Sequence, residues 1–134
     1  WHIKNVIIGS LVNDSKTALE WNLANDPQWG PHTPGGCTEC KGALTIGSDG
    51  QITRNQAYFI IAQASKFIPT GSIRIALNQL PKGMKGVAAI RPDKQVAVLL
   101  QNETNQVIKT SISFDNKHWE IEVPKEGVGS ILLK

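Results

Sequence analysis

From Gly71 onward the apolar residues of this chain recur mainly at every second position, and before Gly71 they do so only from Leu19 to Leu23. That switch constrains the fold more than any single motif, because period 2 marks strands with one buried face and period 3.6 marks helices. Ile73, Ile75 and Leu77 alternate with Arg74, Ala76 and Asn78. Ile108, Ile112 and Phe114 oppose Lys109, Ser111 and Ser113, and Trp119, Ile121 and Val123 oppose His118, Glu120 and Glu122. Val96 to Leu100 is apolar on both faces, as a central strand is. Turn residues separate the runs at Pro92-Asp93, Asn102 to Asn105, Asp115-Asn116, and Pro124 with Gly127 and Gly129. Strands at this spacing predict an antiparallel β-sandwich over residues 71–134.

The first seventy residues follow an α/β grammar. Ile3, Val6, Ile7 and Leu11 lie at helical spacing, and Asn13-Asp14-Ser15 ends that helix. Thr17 to Ala24 reads as a short strand with Leu19, Trp21 and Leu23 on one face and Glu20 and Asn22 on the other. Ala43 to Ile46 and Gln51 to Thr53 flank Gly47-Ser48-Asp49-Gly50, whose Asp-Gly pair supplies the positive φ angles of a hairpin turn. Asn55 is placed to cap a helix from Gln56 to Ile68, with Ile60, Ile61, Ala64, Phe67 and Ile68 at three- and four-residue steps and Pro69 and Gly71 as its stop. One main strand and two helices cannot enclose a core, so residues 1–70 read as the end of something larger.

Between strand and hairpin lies WNLANDPQWGPHTPGGCTECKG, residues 21–42, with neither helical nor strand period. Loops this long in a compact chain are functional or disordered. Two tryptophans and two cysteines argue against disorder, which is poor in both. Cys37 and Cys40 form a single C-x-x-C, and a zinc site needs two more ligands where only His2, His32 and His118 are at hand. The ligand count favours a local disulfide or two free thiols over a metal, and no cofactor is expected.

Composition narrows the partners. Fourteen Lys and Arg against eleven Asp and Glu give a net charge of +3, scattered along the chain with no denser basic run than Lys82-Gly83-Met84-Lys85, so nucleic acid is not expected. No stretch approaches the roughly 18 apolar residues of a membrane-spanning helix, and no signal peptide is visible. The chain opens at Trp1 rather than at a methionine, which is expected of a processed product or of a piece of a longer chain.

Three stretches, WHIKNVIIGS, ALEWNLANDPQWGPHTPGGCTECKGALTI, and RNQAYFIIAQASKFI followed by GSIRIAL, carry a family signature. Over nearly its whole length the chain resembles the C-terminal part of glycoside hydrolase family 30, the glucosylceramidase-like enzymes. The resemblance implies a (β/α)₈ TIM barrel with a β-sandwich beside it, hydrolysing β-linked glycosides with retention. Thr17 to Ala24 would be the last barrel strand and Gln56 to Ile68 the last barrel helix. Residues 1–70 would then be the barrel's C-terminal end, and residues 71–134 the sandwich.

Active sites of such barrels sit on the loops that follow the strands, so residues 21–42 would form a wall of the sugar cleft. Retaining hydrolysis uses two carboxyl groups roughly 5 to 5.5 Å apart. The resemblance puts both upstream of Trp1, and Glu20, Asp26 and Glu39 match neither family motif, so this chain is expected to hold no catalytic residue and to be inactive alone. Trp21 corresponds to the tryptophan lining the family's glucose subsite, where an indole face stacks on a pyranose and its N–H donates to a hydroxyl. Without the resemblance, a core tryptophan is the simpler reading.

Trp29, His32 and Cys37 belong to the same cleft loop; Trp29 and His32 either shape more distant subsites or pack the loop on itself. Cys37 and Cys40 fit the GGC-x-x-CKG pattern of bacterial-looking members, where a disulfide would stiffen the cleft wall and imply a secreted, periplasmic or cell-surface enzyme. The implied partners are a β-linked carbohydrate or glycolipid and the missing N-terminal part of the barrel. The contrasting expectation is a non-catalytic carbohydrate-binding or purely structural sandwich, but Phe114 and Trp119, its large aromatics, lie on apolar stripes. Asn13-Asp14-Ser15 and Asn102-Glu103-Thr104 match the glycosylation sequon, a frequent chance match.

Overall fold

The structure, a computed structural model, describes residues 1–134 and divides them into two compact units, residues 1–17 with 63–134, and residues 18–62. The larger unit is the β-sandwich. One sheet has the order β4 (Ile73–Ile75), β5 (Met84–Ile90), β6 (Val96–Asn102), β9 (Val128–Leu133), antiparallel throughout. The second is the hairpin of β7 (Ile108–Phe114) and β8 (Lys117–Val123), with Ile112 opposite Trp119 and Ile108 opposite Val123. Asp115 and Asn116 both take positive φ in the turn between them, which matches the twist of tight hairpins.

Alternation sorts the side chains of β6. Val96, Val98 and Leu100 join Met84, Ala88, Leu133, Ile112 and Val123 in the core between the sheets. Ala97 and Leu99 point the other way and are equally buried, so β6 is apolar on both faces for a structural reason. Its second face is covered by the N-terminal helix, whose Ile3, Ile7 and Ile8 are buried and which packs on β5 and β6. That helix is π-helical over Ile3–Ile8 and finishes as one α-helical turn, α1 (Gly9–Val12). Asn13 closes it, donating from Nδ2 to the Gly9 carbonyl at 2.8 Å, and Asp14 then turns away with φ of 65°.

Two strands went unread in the sequence. β5 is buried on alternate faces by Met84 and Ala88 and by Val87 and Ala89, but its small residues and the Lys82 to Lys85 run conceal the pattern. β9 begins at Val128 and carries Gly129 inside the ladder, paired with Leu100, where Gly129 had been read as a turn signal. Asn102 is not an available sequon. It is wholly buried, its Nδ2 within reach of the carbonyls of Gln106 at 2.7 Å, Val123 at 3.1 Å and Pro124 at 3.0 Å.

The smaller unit holds a three-stranded sheet in the order β1 (Ala24–Asn25), β2 (Leu44–Ile46), β3 (Ile52–Arg54), with β1 and β2 parallel. The hairpin of β2 and β3 lies where the sequence placed it, with one correction: only Gly50 takes positive φ, at 79°, while Asp49 accepts from the Gln51 N–H at 2.9 Å through its side chain. The predicted strand Thr17 to Ala24 shrinks to Ala24 and Asn25, because a strand exists only where a neighbour supplies its ladder and β2 reaches no further. α2 (Gln56–Ser65) is shorter than Gln56 to Ile68, its end closed by the N–H groups of Phe67 and Ile68 donating to the Ala64 carbonyl. None of its residues is buried, although the helix is largely apolar.

Candidate substrate-cleft loop

The loop of residues 21–42 is ordered by a small polar frame at its base. Asn25 is buried at 5% exposure and uses both ends of its amide: Oδ1 accepts from the Gly42 N–H at 2.5 Å, and Nδ2 donates to the Trp29 carbonyl at 3.0 Å. Asn55, also buried, donates from Nδ2 to the Gly42 carbonyl and to Thr45 Oγ1, both at 2.9 Å. Asn55, which the sequence offers as the cap of the following helix, fastens the end of the loop through this nitrogen. Ala43 and Leu44 donate their N–H groups to the carbonyls of Asn22 and Leu23, so the two arms lie side by side.

Gly42 is required at the crossing point. A Cβ there would run into Asn22 Oδ1 and stand 2.8 Å from Asn25 Oδ1 and 2.9 Å from Ala24 Cα, inside the contact limit of carbon.

Asp26 builds the next turn. Its Oδ1 accepts from the N–H groups of Gln28 and Gly30, each at 2.8 Å, while its own N–H donates to the Gly30 carbonyl at 2.8 Å. The carboxylate is thus engaged in holding backbone. Trp29, at the head of this turn, has φ of 66° and is 39% exposed. His32, Cys37 and Glu39 are exposed, and Cys37 and Cys40 are joined by a disulfide. The Trp21–Asn22 and Gly30–Pro31 peptide bonds are cis. No three His, Cys, Asp or Glu side chains gather as a metal site requires.

Trp21 itself is 80% exposed, between Leu19 at 90% and Leu23 at 75%. Three large apolar side chains within five residues, all exposed, are a surface built to be covered or to bind. The sequence groups these three on one face of a strand, but residues 17–23 form no strand. The residues that hold the loop, Asn25, Gly42 and Asn55, gave no comparable signal, since each works through a partner 10 to 17 positions away. Asp26 did leave one, in Asn25-Asp26-Pro27.

Residues 71–131 match the glycosyl hydrolase family 30 beta sandwich domain. The endo-1,6-beta-D-glucanase neg1 of Aspergillus fumigatus is 33% identical over 143 positions, taking in 99% of this chain and 29% of that enzyme. The solved structure of the endo-beta1,6-glucanase BT3312 superposes with a TM-score of 0.88 at 32% identity, over 96% of this chain and 29% of the other. The chain belongs to glycoside hydrolase family 30. The lysosomal acid glucosylceramidase of Mus musculus is more distant, 30% identical over 108 residues, which are 80% of this chain and 21% of that enzyme. The family 30 chain described here therefore spans under a third of the length of the curated relatives it matches. No helix in it is long and apolar enough to cross a membrane.

Proposed function

We propose that this chain is the C-terminal portion of an exported retaining β-glycosidase whose substrate is a β-linked glucan, with β-1,6-glucan the first choice. Residues 1–70 finish the catalytic barrel and residues 71–134 form its accessory sandwich. The chain supplies one wall of the sugar cleft, with Trp21 stacking on a glucose ring and Trp29 and His32 further out along the loop. Both catalytic carboxylates come from the part of the enzyme that precedes Trp1, and the fragment alone is inactive.

The observation that carries this reading is the exposure of Leu19, Trp21 and Leu23 beside an anchored, disulfide-bearing loop, in a chain that aligns to 29% of an endo-1,6-beta-D-glucanase. Fully burying a large apolar side chain is worth about 1.5–3 kcal/mol, so three such side chains left in water forgo roughly 5–9 kcal/mol. A neighbouring barrel strand and a bound sugar would recover it. The preference for β-1,6-glucan over a glycolipid rests on the higher identity to the two glucanases than to the glucosylceramidase.

The test is hydrolysis of β-1,6-glucan, β-1,3-glucan and glucosylceramide by the full-length parent and by its Trp21→Ala variant. The expected result is turnover of the β-1,6 polymer and a loss of roughly 10- to 100-fold in kcat/KM in the variant, the size of a lost aromatic platform with its hydrogen bond. Unchanged kcat/KM in a folded variant would end the cleft-wall assignment, and turnover of the ceramide alone would overturn the substrate.

A further inference from the structure

The sandwich has an open end. There the two sheets part between the first residue of β6 and the last turn of the β7–β8 hairpin, leaving a cavity of about 110 Å³ lined by Val96, Leu133, Phe114, Trp119, Lys94, Lys117, Lys134 and Asp115. Val96 and Leu133 are paired across the ladder and buried, and they form an apolar floor. Phe114 and Trp119 come from the inward face of the hairpin, and Phe114 is 39% exposed. The sequence put both aromatics on apolar stripes, which is correct, but the stripe runs out of the sandwich at this end.

Three lysine side chains and one aspartate rim the mouth. Lys117 is held in place by donating from Nζ to the backbone carbonyl of Lys134 at 3.1 Å. An ammonium group so fixed keeps two further N–H donors for a ligand. At about 110 Å³ the cavity is too small for a chain of sugars.

We propose that this mouth is a second binding site, for a single anionic pyranose such as a uronic acid unit at the end of a glycan. The C–H face of the ring would lie against Phe114 and Trp119, and the carboxylate would take charge-assisted hydrogen bonds from Lys94 and Lys117. The aromatic walls and basic rim call for a carboxylate carried on a ring with an apolar face, and the choice of a sugar among such carboxylates rests on the function proposed above.

Equilibrium binding to the full-length parent tests it, with D-glucuronate, D-glucose, benzoate and inorganic sulfate as probes. Glucuronate should bind, and Lys117→Ala and Phe114→Ala should each weaken it about tenfold, the effect of removing one charged hydrogen bond or one ring contact. Hydrolysis of neutral β-glucan should stay unchanged in both variants, so a failure of the cleft reading would show in activity and a failure here would show in binding alone. Glucose bound as tightly as glucuronate, sulfate bound equally and insensitive to Phe114→Ala, benzoate bound in preference to glucuronate, or no glucuronate binding would each overturn the proposal.

Discussion

Asn102→Ala should be the most damaging polar substitution in the sandwich. The side chain is fully buried at the end of β6, and its Nδ2 faces three carbonyls, those of Gln106, Val123 and Pro124, with its two protons. Its Oδ1 accepts from the Thr104 N–H at 2.9 Å and from Thr104 Oγ1 at 2.7 Å. Two donated and two accepted hydrogen bonds at about 1 kcal/mol each give about 4 kcal/mol. Truncation also leaves the Val123 carbonyl without this partner in the interior, a cost in the same direction. A loss of about 4 kcal/mol is a large share of a domain's 5–15 kcal/mol.

Native-state hydrogen exchange of the β6 amides in the full-length parent reads this directly, because central strands exchange only through large openings. Protection of residues 96–102 should fall by roughly three orders of magnitude. A fall of less than tenfold would refute the reasoning and mean that water or neighbouring donors replace the amide at little cost.

Other expectations follow from the same contacts. Gly42→Ala should cost about 1–3 kcal/mol by pushing Asn22 and Asn25 off the loop base, read as faster proteolytic cutting between residues 28 and 41 with the sandwich intact. Replacing both Cys37 and Cys40 by serine should cost no more than about 2 kcal/mol, since the bridge closes a loop with a sequence separation of only 3; a loss beyond 4 kcal/mol would show that the disulfide holds more than its own turn. The side-chain hydrogen bond from Arg91 holds the Asp93 carboxyl below its usual 3.8. A depressed folded value means that the stabilisation is present above about pH 4 and lost as pH falls through the folded value. Asp93→Asn should therefore loosen the turn of residues 91–95 at neutral pH and make no difference in strong acid, as amide exchange at Gln95 would report.

Much of the candidate site was legible as composition and little of it as geometry. The grouping of Leu19, Trp21 and Leu23 came from alternation alone, whereas the frame that orders the loop depends on Asn25 meeting Gly42 and Asn55 meeting Thr45, long-range pairs that no local pattern encodes. The strand predicted for Thr17 to Ala24 failed for the complementary reason. Its residues have strand character, but a ladder needs a neighbour and this chain supplies one only at Leu44 and Thr45.

By itself the sequence determined that only strands follow Gly71, the hairpin at Gly47 to Gly50, the helix ended at Asn13, and the two-sided burial of β6, because each follows from side-chain period or from turn chemistry within a few residues. Only the tertiary structure decided that the N-terminal helix covers the second face of β5 and β6, that Asn102 is a buried hub instead of a surface sequon, and that the stripe of Phe114 and Trp119 ends at an open mouth. Periodicity fixes which side chains share a face; what lies against that face depends on where the rest of the chain returns, and that is set by packing between segments far apart in sequence.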